Sequence, residues 1–125
     1  MISTILVVII AVMQLMFGGM MAASVAFLDT TMPISTLAMM ALLGSIFHSV
    51  LLIASIKFPS KVRKTILLLL LVWHIPEAGL IQMYGMGVPP AQQMMGSGIH
   101  VVISMLALLA WYFTKDKTES KLQNN

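Results

Sequence analysis

Cysteine is absent from this 125-residue chain, which excludes disulfides, thiolate metal sites and cysteine nucleophiles. Charge is nearly as scarce. Asp, Glu, Lys and Arg together make up 9% of the residues, where a soluble domain carries roughly a quarter. Aromatic residues reach only 7%, thin material for a haem pocket. No glycine-rich nucleotide motif, low-complexity linker or internal repeat is present. What fills the chain instead is apolar, 59% of all residues, so lipid is the natural solvent. The net charge of +3 does not indicate nucleic acid, because the basic residues all adjoin apolar stretches.

Four such stretches can be marked off, at about 3–28, 35–56, 65–88 and 90–113. Each exceeds the roughly 20 residues a helix needs to cross ~30 Å of hydrocarbon. In lipid a lone strand would leave its backbone groups unsatisfied, so helices are expected. The expected fold class is all-α integral membrane, one domain over 1–125 with a polar tail at 114–125. Ser24-Val25-Ala26 resembles a signal-peptidase site, but no basic n-region precedes it, and the first span is expected to stay as a membrane helix.

Charge gives the orientation. All seven Lys and Arg fall on two segments: Lys57, Lys61, Arg63 and Lys64, then Lys115, Lys117 and Lys121. In a four-span chain these lie on one side, and the positive-inside rule makes it cytoplasmic. Trp111-Tyr112-Phe113 suits an aromatic anchor there. The connections are short: Asp29 to Pro33, with Thr31 as a helix cap, Lys57 to Lys61, and Gly85 to Pro90. Short connections predict an up-down-up-down bundle with both ends cytoplasmic, a multi-pass protein of the cell membrane. Gly18 with Ala22, Gly19 with Ala23, and Ser45 with Ser49 stand four residues apart, a spacing that lets membrane helices approach closely, within the chain or between subunits.

The informative residues are polar ones deep inside the spans. At ~1.5 Å per residue, His48 and His74 come out roughly 13–15 Å from the basic boundary, and Glu77 and His100 roughly 20 Å. Gln14 falls near the middle of the first span. His74 and Glu77 share a helix face, and Pro76 between them weakens the backbone ladder. Ionisable groups at this depth are costly and face an interior or a cavity.

His48, His74, Glu77 and His100 are therefore candidate ligands of a first-row transition metal such as Zn, Cu or Fe. His48 and His74 are alternatively candidate axial ligands of a haem. A third reading is a proton relay through Glu77 and the histidines in a small transporter or channel, and a fourth is plain structural hydrogen bonding. A dinuclear carboxylate site would need more than one intramembrane acid. Ser49, beside His48, is expected to bond its own helix backbone rather than to act as a nucleophile.

Methionine is the second anomaly. Of 13, nine lie in the outer half or outer loops by this topology, and Met83, Met86, Met94 and Met95 flank one outer turn. Thioethers suit Cu(I), although methionine also simply fills irregular gaps.

In its size, four spans, outer-side methionines and short Lys/Asn-rich tail, the chain resembles the small hydrophobic accessory subunits found with archaeal ammonia monooxygenase, a copper-dependent membrane enzyme. The resemblance is one of format over the whole chain and assigns no residue a role. It implies an accessory subunit without catalysis of its own, held in the bilayer against larger subunits of a membrane oxidase, monooxygenase or respiratory complex.

Overall fold

The computed structural model describes residues 1–27, 36–84 and 90–114. Four helices account for nearly all of them: α1 (Ile2–Phe27), α2 (Thr36–Ser55), α3 (Ser60–Tyr84) and α4 (Pro90–Tyr112). Each coincides closely with one of the four apolar stretches. Leu, Ala and Met dominate and favour the helical backbone, and no strand occurs among the described residues. Asp29 to Pro33, Thr31 included, Gly85 to Pro89 and the tail from Lys115 lie outside the described residues.

One boundary moves. The third apolar stretch begins at Thr65, yet α3 starts at Ser60, because Lys61, Arg63 and Lys64 are themselves good helix formers. A basic first turn opposes the helix dipole. Arg63 offsets this by capping the helix before it: its guanidinium donates to Ser55 O at 3.1 Å and to Ile56 O. Both stand at the end of α2, whose last carbonyls lack partners within the helix itself. The tight bonds Lys57 N to Ala54 O and Phe58 N to Ser55 O draw in the last turn of α2. Sequence and turn thus fix α2 and α3 as an antiparallel hairpin.

Neighbouring helices run antiparallel around the bundle. α1 lies closely along α2, α3 closely along α4, and α1 also along α4, while α2 and α3 touch less. Ser49 Oγ shares its proton between Ser45 O at 2.7 Å and Ala11 O on α1 at 2.9 Å. The serine is backbone-bonded, as expected of a helix serine, and the spacing of Ser45 and Ser49 serves the approach of α1 and α2. Gly18 is buried, whereas Gly19 faces open space. Ser3 and Thr114 meet through their hydroxyls at 2.6 Å, joining the start of α1 to the end of α4. This is the end that carries Lys57, Lys61, Arg63 and Lys64, and there Lys64 Nζ sits 5.5 Å from the centre of the Trp111 ring. The structure thus gathers the basic turn and both ends of the described chain at one end of the bundle.

The interior is a narrow apolar column around Val7, Ile10, Leu52, Leu67 and Ile103. Its surface is apolar as well: Leu43, Phe47, Val50, Leu69, Val72, Trp73 and Met105 all point outward. Two of the helices, over Ile2–Met20 and Gln93–Tyr112, are long and apolar enough to cross a membrane, and Leu42–Ser55 forms a shorter apolar helix.

Candidate metal centre

At the middle of the bundle the apolar column is interrupted. α3 contributes His74 and, one turn on, Glu77, so that both side chains leave the same face. Pro76 lies within the same turn of α3 and has no N–H to give back to Val72. α4 brings His100 opposite, its ring held edge-on by Phe17 of α1 at 5.5 Å and its own carbonyl accepting from Ser104 Oγ at 2.8 Å. His74 and His100 are 5% and 6% exposed.

Three atoms converge. His74 Nδ1 and His100 Nδ1 stand 2.8 Å apart, and each is 3.3 Å from Glu77 Oε2. With both rings protonated at Nε2, each of these atoms has a lone pair to offer. Facing lone pairs repel, so the point between them demands a positive charge, either a proton shared along an edge or a metal cation. Tetrahedral ligand atoms with bonds of about 2.0–2.1 Å stand roughly 3.3–3.4 Å apart. Both carboxylate–imidazole edges already have that length. The imidazole–imidazole edge would need to open by about 0.5 Å. His74, Glu77 and His100 each offer one atom, all lying within 4.8 Å of one another, and the mixed nitrogen–oxygen donor set suits a borderline first-row ion.

Gln14 of α1 completes the surroundings. Its Nε2 donates to His74 Nε2 at 2.7 Å, while its Oε1 is buried without a partner. In this amide orientation His74 carries its proton on Nδ1. With the amide turned over, Oε1 accepts from an Nε2–H, and the His74 Nδ1 lone pair is released to the centre. Metal-bound histidines keep their other ring N–H on such a partner. Gln14 therefore controls which ring nitrogen of His74 is available.

Not every expected ligand arrives. His48 does not join the convergence: its ring stands beside it, edge-on to His74 at 5.8 Å and to Trp73 at 5.7 Å. The four-residue metal set expected from depth is thus a set of three, because α2 presents its histidine toward the rim of the bundle. The same contact speaks against a haem ligated by His48 and His74, since rings in edge contact leave no gap for a porphyrin between them. Met83, Met94 and Met95 are 75%, 70% and 52% exposed and turn away from the interior. The fourth expected soft ligand, Met86, lies outside the described residues.

Two polar residues of this region were not singled out in the sequence. Gln82 Nε2 donates to Ser97 Oγ and approaches Gln93 O at 3.4 Å, linking α3 to α4 between the centre and the end of the bundle opposite the basic turn. Their signal was available, since Gln82 lies little more than a turn beyond Glu77 and Ser97 three residues before His100.

No family model matches the chain, nor does any curated protein or solved structure. The functional reading therefore rests on the geometry.

Proposed function

We propose that this chain is a multi-pass protein of the cell membrane, with both ends cytoplasmic, that binds one divalent first-row transition ion at His74, Glu77 and His100. The observation that carries the metal reading is the convergence of two buried imidazole nitrogens and one half-buried carboxylate oxygen on a single point. Zn2+ fits the donor set and its spacing, and three protein ligands leave a fourth position open for water or substrate. The membrane reading is supported by a surface whose large residues are apolar on every helix, a surface that in water would be an aggregation hazard. The collection of basic residues at one end, beside Trp111, supports the orientation.

The test is a metal titration of the full-length protein in detergent. Co2+ should bind at one equivalent with the intense visible bands of a tetrahedral site, Zn2+ should displace it, and no Soret band should accompany the purified protein. Failure to bind either ion would remove the metal reading and leave the shared proton. For topology, a reporter fused after Asn125 should read cytoplasmic and one inserted at Thr31 should not.

A second reading, the accessory subunit of a larger membrane oxidase, monooxygenase or respiratory complex, is favoured by one observation. The Glu77 side chain is 37% exposed at mid-span depth, where lipid is a poor neighbour for a carboxylate and a partner subunit a better one. Co-migration with larger subunits on a native gel of solubilised membranes would support it. A lone species would oppose it.

A further inference from the structure

Resting on that metal reading, we infer that the centre is reached from one side only: a cation enters and leaves along the Gln82–Ser97 edge, from the end opposite the basic turn, and does not pass through. The two directions away from the centre differ in chemistry. Toward the basic end the apolar column of the core includes Ile10, Leu52, Leu67, Leu70, Ile103 and Ala107. The buried hydroxyls Ser49, Ser55 and Ser104 donate to backbone carbonyls: Ser49 to Ala11 O and Ser45 O, Ser55 to Leu52 O, and Ser104 to His100 O, while Ser3 and Thr114 bond each other at the far end. The packed apolar column between the centre and that end is what bars a cation, since its side chains cannot replace the water that the ion must shed, and an apolar constriction of this kind excludes ions by dewetting.

Toward the other end the described residues of α3 and α4 offer polar groups. Glu77 is half-buried, and beyond it Gln82 bridges to Ser97 and the Gln93 carbonyl, with Ser97 donating to Met94 O at 3.2 Å. Gln82 lies five positions beyond Glu77, about 7.5 Å along the helix, one relay step for a partly hydrated ion. The centre is therefore a dead end, suited to holding or sensing a cation offered from the outer side and unsuited to conducting one.

Two measurements test this. In detergent, where both ends are wet, Gln82→Leu with Ser97→Ala should slow Co2+ uptake and release alike by about tenfold, the rate equivalent of one lost polar contact, with the equilibrium Kd little changed. Unchanged rates would overturn the route, and a matching loss of affinity would make these residues part of the site instead. In sealed liposomes, an impermeant chelator added outside should strip Co2+ only from molecules whose C-terminal tail is protected from external trypsin. Stripping from both orientations, or passage of Co2+ across the vesicle wall, would overturn one-sided access. Failure of the wild-type protein to bind Co2+ in detergent is a different result, which removes the metal reading itself.

Discussion

Replacing Gln14 by leucine separates the metal reading from a merely structural one, because the two predict different quantities to change. Gln14 is 2% exposed, so the substitution stays inside the bundle and nearly conserves volume. For the protein without metal, the loss of the bond to His74 Nε2 leaves that nitrogen unpartnered, a cost of about 1–3 kcal/mol. The same substitution removes the unpartnered Oε1, a gain of similar size, about 1–3 kcal/mol. The two nearly cancel, and thermal unfolding in detergent should shift little. For the metal-bound protein there is no cancellation. Without an acceptor for Nε2–H, His74 loses the partner that frees its Nδ1, and loss of such outer contacts costs roughly 10–100-fold in metal affinity. Gln14→Glu should restore or exceed wild-type affinity, since a carboxylate accepts that N–H without needing to turn over. The assay is Co2+ titration followed by its visible bands, with unfolding measured on the same samples. If Gln14→Leu binds Co2+ as tightly as wild type, His74 does not use Nδ1 and the centre is wrongly assigned.

Three further outcomes are expected. His74→Phe and His100→Phe should each abolish stoichiometric Co2+ binding with the helical signal in circular dichroism retained, whereas His48→Phe, which replaces one edge-packed ring by another, should leave affinity within about threefold, or less than 1 kcal/mol. Glu77→Gln should weaken binding far more than it weakens the fold, because it removes the only anionic ligand of the three; equal affinity would sink the three-ligand assignment. Arg63→Met should lower stability by about 1–3 kcal/mol, since charge-assisted bonds to the two carbonyls at the end of α2 are lost, while metal affinity stays unchanged; this is read from unfolding of the two variants in detergent.

The helices and the polar layer could be read from the sequence because both follow from solvation. Runs of Leu, Ile, Val and Ala set between basic residues leave little alternative to helices, and α1, α2 and α4 fall within a residue or two of the apolar stretches. Only α3 starts early, since charge marks where the hydrocarbon ends and not where the helix does. Counting depth also placed Gln14, His74, Glu77 and His100 at one level. It could not place His48 correctly, because depth is a coordinate along the bundle axis and ligation depends on the angle around it. That angle is set by how α2 leans on α1 through Ser49, a contact between helices that no single segment encodes.

All three ligand atoms belong to the hairpin of α3 and α4, while α1 supplies Gln14 and Phe17 from the other hairpin. On the proposed metal reading, capture of an ion and its enclosure would be separable in the order of assembly. As the chain is made, α1 and α2 are finished first and stand ready, lacking anything to hold. The ligands emerge together within the last half of the chain, and His74, Glu77 and His100 can meet an ion as soon as α3 and α4 close on each other. Docking against α1 then seats His74 on Gln14 and lays Phe17 against His100. A cation bound early would draw the second hairpin into its final shape before the two halves join, making the ion a template for the late step of folding as well as its cargo.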